Sequence, residues 1–370
     1  MATPEQIFVR GVNWLGDAVM TTPALLRLRE KFPAATIGLL TPKKLEDLWR
    51  RHPAVNFTIS FASNAGPFSI GRAWRREGFE IALVFPNSPR SALEMWLAGI
   101  PRRIGYARPW RNWLLTDAIP DRPGRVQMRK RSPNEIQGLI SKPPANPQAA
   151  LLASAHQIHE YLHLVSVLGA STEALSPRLE VGQDEVQQAL DKFGLSEIVK
   201  GPKPVVGLNP GAEYGPAKRW PVDRFIAAAR ETQRQTGCVW ILFGGKADST
   251  LTGQIASAIH DPRFTVHDLA GKTSLRELMA LLKSCRLLLT NDTGPMHLAA
   301  ALGTPVVVPF GSTSPELTGP GLPGDSRHRL LKSDAPCSPC FLRGCPIDFR
   351  CMNGISMERV VKTVVESLGG

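Results

Sequence analysis

No run of about 18 apolar residues occurs in the 370-residue chain, which argues against a membrane-spanning helix. Residues 1–17 contain no basic stretch leading into an apolar one, so no secretory signal is read and a cytoplasmic protein is expected. The first strand-to-helix loop holds only Gly11 and Gly16, without the G-x-G-x-x-G spacing of a dinucleotide site. No Asp-x-Asp pair and no short-period repeat is found. His156, His159 and His163 share a helical spacing but have no carboxylate or cysteine pattern nearby, so they read as surface histidines rather than a metal site.

What is present fits an ordinary soluble protein of two domains, with 43% hydrophobic and 21% charged residues. The net charge of +12 is uneven: residues 1–175 hold 22 Lys/Arg against 13 Asp/Glu, and the remainder 22 against 19. A basic first half suits nucleic acid, anionic lipid or an acidic substrate, or is simply a solvated surface.

The most informative stretch runs from Leu287 to Gly311. Leu287 to Leu289 form a short buried strand, and Val306 to Phe310 form the next. Asn291, Asp292 and Thr293 are N-cap residue types and Pro295 suits a first helical turn. The helix is expected to end near Leu302 and to stop at Gly303. Its free N–H groups favour an anion, typically phosphate, with Gly294 allowing close approach. His297 falls on the same helix face as Thr293.

Along the first half, Ile7 to Val12 and Thr36 to Leu40 read as strands flanking a helix from about Asp17 to Lys31, a βαβ unit. Asp17 sits where the strand's carboxyl edge meets the helix, so it is either a cap or a crevice carboxylate. Further strands are read over Phe57–Phe61 and Ile81–Phe85, and a helix over Lys43–Arg51. Asn87 and Arg90 lie in the loop after the Ile81–Phe85 strand. Arg102, Arg103, Arg108 and Arg111 alternate with Tyr106, Trp110 and Trp113, a mixture suited to phosphate, carboxylate, sugar or single-stranded nucleic acid. Residues 121–150 read as an extended or mobile loop, broken at Pro143, Pro144 and Pro147.

A domain boundary is expected within residues 170–203. Beyond it come the Gly/Pro-rich loop Asn209 to Pro221, which carries Lys218, then Asp248 close behind a strand, and Lys272 and Thr273 before a helix. Asp248 suits a ribose hydroxyl. Cys337, Cys340, Cys345 and Cys351 cluster as C-x2-C-x4-C-x5-C. Structural zinc and reduced, structural thiols both fit this spacing.

Taken in order, Arg10 to Asp17, Pro86 to Leu93, Asn209 to Pro221 and Asn291 to His297 resemble the lipopolysaccharide heptosyltransferases of glycosyltransferase family 9, heptosyltransferase II most of all. The resemblance covers nearly the whole chain apart from residues 121–150. It implies an α/β GT-B fold, two Rossmann-like doubly wound domains facing a central cleft. The expected domains are residues 1–178 for the acceptor and 179–354 for the nucleotide sugar. Residues 355–370 are expected to form a helix that crosses back to the first domain. The implied reaction is an inverting transfer of heptose from ADP-heptose to the first heptose of the lipopolysaccharide inner core.

The resemblance implies Asp17 as the base and Lys218 as the diphosphate lysine, with Asp292, Thr293, Gly294 and His297 lining the donor site. Asp248 matches the ribose-binding acid, and Lys272 and Thr273 lie near adenine. Asn13, Asn87, Arg90, Arg102, Arg103, Arg108 and Arg111 are the candidate acceptor residues. No metal or other cofactor is implied. The partners expected are ADP-heptose, the inner-core acceptor and, peripherally, the cytoplasmic face of the inner membrane, with no nucleic acid. Rival readings are heptosyltransferase I or III, a family member with another sugar donor, and a GT-B sugar-nucleotide epimerase. An epimerase has no need of an arginine-rich acceptor face.

Overall fold

The computed structural model describes residues 4–73, 78–143, 151–260 and 265–369. Pro144 and Pro147, read above as helix breakers, lie outside the described residues. The chain forms two compact units: Met1–Arg125 with Ser154–Glu180, and Val126–Ala153 with Val181–Gly370.

The first unit contains β1 (Gln6–Arg10), β2 (Thr36–Pro42), β3 (Phe57–Phe61), β4 (Ile81–Val84), β5 (Arg102–Tyr106) and β6 (Asp117–Ile119). They are ordered β3-β2-β1-β4-β5-β6, and every pair is parallel. The second unit contains β7 (Val205–Asn209), β8 (Val239–Leu242), β9 (Val266–Asp268), β10 (Leu287–Thr290), β11 (Val306–Phe310) and β12 (Arg329–Lys332). These are ordered β12-β11-β10-β7-β8-β9, again all parallel. Counted from its own first strand, each sheet therefore has the doubly wound order 3-2-1-4-5-6.

In such a sheet the chain reverses direction between the first and fourth strands, and ligands bind outside the carboxyl ends there. The switch strands are β1 with β4, and β7 with β10. The four sequence motifs follow these four strands. Asp17 comes after β1, Asn87 and Arg90 after β4, Lys218 after β7, and Asp292 after β10.

The structure departs from the sequence reading at several elements. The helix expected over residues 17–31 is two helices, Leu15–Met20 and Thr22–Lys31. At the break, the Thr21 and Thr22 hydroxyls donate to the carbonyls of Ala18 and Val19 at 2.7 and 2.8 Å. Pro23, lacking an N–H, starts the second helix. Residues 121–150 are not all loop. A helix spans Pro133–Ser141, opened by a capping box between Ser132 and Glu135. Its Ile136 packs against Cys337 and Cys340, and the Arg131 N–H donates to the Cys340 carbonyl at 3.0 Å. This segment therefore belongs to the second unit, not to the first as the expected 1–178 domain had it.

The C-terminal helix, Met357–Gly369, also stays with the second unit. Val360, Val361 and Val364 are buried in one core with Trp220, Phe225, Leu287 and Leu289. The apolar stripe of this helix packs on the Val222–Thr236 helix and the sheet beneath it. His156 is not a surface histidine. It is 1% exposed, and its Nδ1 accepts the Ile158 N–H at 3.4 Å. His163 stacks on Tyr106 and meets its hydroxyl at 3.0 Å.

Candidate functional site

In the second unit, β10 ends at Thr290 and the next helix spans Gly294–Ala301. Thr293 is its N-cap in extended conformation, and its hydroxyl makes no capping bond. The first-turn N–H groups and the helix dipole thus face the carboxyl edge of the switch strands. Leu302 caps the other end and Gly303 follows at φ 90°, as the sequence indicates.

Asp292 is 3% exposed and ion-paired to Lys218, with Nζ to Oδ2 at 2.7 Å. The same oxygen accepts the Thr313 hydroxyl. Thr313 lies in the loop after β11, and no sequence motif pointed to it. Asn291 is a positioning residue rather than a cap. Its Oδ1 accepts the Trp220 N–H at 3.0 Å, and its Nδ2 donates to the Pro210 carbonyl at 2.7 Å. One fully buried amide thus fixes both ends of the loop that carries Lys218. His297 is 5% exposed and lies within the helix's buried side.

Asp248 sits in the loop after β8, where Oδ2 accepts the Gly245 N–H at 3.0 Å. Its carboxylate presses on Gly211, where an added Cβ would lie 2.6 Å from it. Asp248 is therefore held against the loop leading to Lys218, and Gly211 is the residue that permits it. Lys272 is exposed, with Nζ donating to the Asp268 carbonyl at 2.7 Å, and Thr273 is half-buried beside it. A pocket of about 290 Å³ is lined by Pro210, Pro216 and Trp220 of the same loop and by Pro221 and Phe225 after it. Lys218, Asp292 and Thr293 do not line it, so their grouping at the helix N-terminus is a separate feature.

The cysteine-rich segment backs this loop. Cys337 and Cys340 join Ile136, Leu342 and Ile347 in a small apolar cluster. Burial and the neighbouring cysteines raise the thiols of Cys337, Cys340 and Cys351 above their usual range, Cys351 to about 12. Among the described residues no three His, Cys, Asp or Glu side chains converge as a metal-binding group.

In the first unit, Asp17 lies in the first turn of Leu15–Met20, a half-buried position. Gln157 Nε2 donates to its Oδ1 at 3.3 Å and to the Tyr161 hydroxyl at 3.0 Å. Burial first, and then the Asp17 charge, hold the Tyr161 phenol well above its usual range. Gln157 and Tyr161 come from a segment that the motifs did not reach.

Beneath the Asp17 loop lies a buried ion network. Arg10, the last residue of β1, is 2% exposed and pairs through Nε with Glu94 Oε2 at 2.7 Å. The other Glu94 oxygen takes Arg90 Nε at 3.0 Å. Arg10 also donates to the Gly11 carbonyl, and to Asn13 Oδ1 at 3.0 Å. Burial lowers the Arg10 guanidinium, opposed by Glu94. Glu94 therefore ties the loop after β1 to the helix after β4, on the two sides of the switch point. Asn87 is exposed in that second loop.

The remaining arginines separate into two groups. Arg108 and Arg111 follow the carboxyl end of β5. Arg108 pairs with Asp121 at 2.7 Å. Arg111 is fully buried, donates to the Pro86 carbonyl at 2.6 Å, and leaves Nε and Nη2 without partners. Burial pushes its guanidinium down to about 10, and Arg108 adds to the effect. Arg102 and Arg103 instead open β5, at the opposite edge of the sheet. Arg102 pairs with Asp117 at 3.1 Å, and Arg103 donates to the Leu114 and Pro101 carbonyls at 2.7 and 3.1 Å. The structure thus does not bring these two to the edge that carries Asp17, because a parallel strand puts its first and last residues at opposite edges. Tyr106 is 2% exposed and does not face a ligand.

Comparison with known proteins agrees with this layout. Residues 146–349 match the model for glycosyltransferase family 9 (heptosyltransferase). The chain is 31% identical to lipopolysaccharide heptosyltransferase 2 of Escherichia coli K12, over 89% of this chain and 91% of that protein. The solved structure of the E. coli ADP-heptose lipopolysaccharide heptosyltransferase II superposes with a TM-score of 0.76 at 27% identity, covering 98% of both chains. E. coli heptosyltransferase WaaC, solved with ADP, shares the fold with a TM-score of 0.68 at 15% identity, over 98% of this chain and 99% of that one. The family match over more than half of the chain and the 31% identity across most of both proteins place this chain, with its two doubly wound parallel units of the GT-B class, in glycosyltransferase family 9, as a heptosyltransferase-like enzyme.

Proposed function

We propose that the protein transfers L-glycero-D-manno-heptose from ADP-heptose to the first heptose of the lipopolysaccharide inner core, with inversion. The observation that carries this reading is the Lys218–Asp292 pair at a helix N-terminus on the switch point of the second unit. It is a site suited to a diphosphate. The name of the E. coli relative and the ADP in the WaaC structure support an ADP-linked donor.

In this reading Lys218, Thr293 and the helix N–H groups receive the diphosphate, and Asp248 the ribose. Lys272 and Thr273 lie by the adenine. Asp17 takes the proton from the acceptor hydroxyl as its oxygen bonds to the anomeric carbon. The bond from that carbon to the phosphate oxygen breaks, and ADP leaves with the electron pair, its charge stabilised by the cradle. One carboxylate suffices because no glycosyl-enzyme intermediate forms. Asn13, Asn87, Arg90 and Arg108 remain the acceptor candidates, since they follow the carboxyl ends of β1, β4 and β5; Arg111, fully buried, holds the loop after β4 through the Pro86 carbonyl instead.

The acceptor would carry Kdo carboxylates and lipid A phosphates, which suits the basic first half. Among the described residues no helix is long and apolar enough to cross a membrane. Trp96, Trp110 and Trp113 are 47%, 84% and 71% exposed on the first unit. Trp side chains favour a bilayer interface, so peripheral attachment at the cytoplasmic face of the inner membrane is part of the proposal.

The test is an acceptor panel with ADP-heptose as donor. Heptosyl-Kdo2-lipid A is expected to be consumed and Kdo2-lipid A left unchanged. Turnover of Kdo2-lipid A alone would assign the protein to heptosyltransferase I instead.

A further inference from the structure

The Lys218 charge is already committed. Its ammonium sits 2.7 Å from a buried Asp292 oxygen, so the pair is neutral as a unit. A diphosphate arriving at this edge meets the helix N-terminus and little net positive charge from Lys218. Electrostatic stabilisation of a departing diphosphate calls for a further cation.

The cysteine-rich segment supplies one. The Lys218 ammonium lies 5.1 Å from the centre of the Tyr214 ring, and the Arg343 guanidinium lies 5.2 Å from the centre of the same ring. Arg343 is exposed and enters no ion pair among the described residues. Its position is fixed from two sides. The Ala217 N–H donates to the Arg343 carbonyl at 2.9 Å, and the Tyr214 hydroxyl donates to the Phe341 carbonyl at 2.8 Å. On the other side, the N–H groups of Cys340 and Phe341 donate to the Ser312 carbonyl at 3.1 and 2.7 Å. The approach is close enough that a Cβ on Gly215 would lie 2.5 Å from the Arg343 carbonyl oxygen, so glycine is needed there.

We infer that Arg343 is a second cation of the donor diphosphate site, and that the cysteine-rich segment serves to deliver it. This rests on the donor reading proposed above. Lys218 is held by Asp292, whereas Arg343 is held only by a ring face and is available to the phosphate oxygens. A guanidinium also matches a phosphate with two parallel N–H groups.

The experiment is calorimetric titration of the full chain with ADP, AMP and adenosine, using the natural protein, Arg343→Ala and Arg343→Lys. Arg343→Ala is expected to weaken ADP roughly 10- to 100-fold, the scale of losing one charge-assisted phosphate contact. It should weaken AMP less and leave adenosine unchanged, and Arg343→Lys should restore part of the ADP affinity. Equal ADP affinity in Arg343→Ala and the natural protein would overturn the inference. So would a loss shared equally by adenosine, which marks a collapsed loop rather than a missing phosphate contact. If the natural protein itself binds no ADP, the donor reading fails first.

Discussion

Asp17→Asn is expected to abolish heptose transfer while ADP-heptose still binds. The substitution keeps the size of the side chain and an oxygen to accept the Gln157 amide, now 3.3 Å from Oδ1. What it removes is the ability to take a proton. General-base catalysis contributes about 10²- to 10⁴-fold, so the single-turnover rate should fall by at least that lower bound. Donor affinity should be unmoved, because the cradle residues all belong to the second unit. Near-normal turnover would remove Asp17 as the base. A loss of donor binding would show that Asp17 acts on the donor.

Lys218→Ala is expected to have the next largest effect. It removes a cation from the cradle and leaves Asp292, 3% exposed, as an uncompensated carboxylate where the diphosphate should sit. Attraction is lost and repulsion gained. Taking removal of one pre-positioned donor as about 3–4 kcal/mol, kcat/KM should drop roughly 10²- to 10³-fold. Asp292→Asn in the same chain should recover part of this, because it removes the stranded charge. An unchanged donor KM and kcat for Lys218→Ala would contradict the diphosphate role.

The elements nearest the chemistry were the most legible in the sequence. The buried runs of β7 and β10 contain only Val, Leu and Gly before a polar last residue, β11 is Val-Val-Val-Pro-Phe, and tight loops follow all three. The 3-2-1-4-5-6 order then accounts for why the motifs cluster. Strands β5, β6 and β12 were harder to see. β5 begins with Arg102-Arg103, β6 has three residues, and β12 is flanked by charge. Alternation of apolar and polar residues cannot report strands this short and this charged.

The capping box at Ser132 and Glu135 is written in the sequence, yet the basic run before it and the prolines after it suggested a loop. Arg102 and Arg103 lie close along the chain to Arg108 and Arg111, yet the five-residue strand β5 separates the two sets onto opposite sheet edges. Other residues had no local signal. Thr313, Gln157, Tyr161 and Glu94 act through partners distant in sequence: Asp292, Asp17 and Arg10. Their roles depend on which strands become neighbours. The cysteine cluster invited a metal on spacing alone. The structure gives the same residues a packing role and sets the backbone next to them against the Lys218 loop.

The anomeric configuration of the product tests the central claim most directly. One base on Asp17 and a leaving diphosphate on the second unit imply a single displacement. Inversion of a β-configured donor should give an α-linked heptose on the acceptor, as read by NMR of the purified product. A β-linked product would require two displacements and a second nucleophile, and would contradict the account.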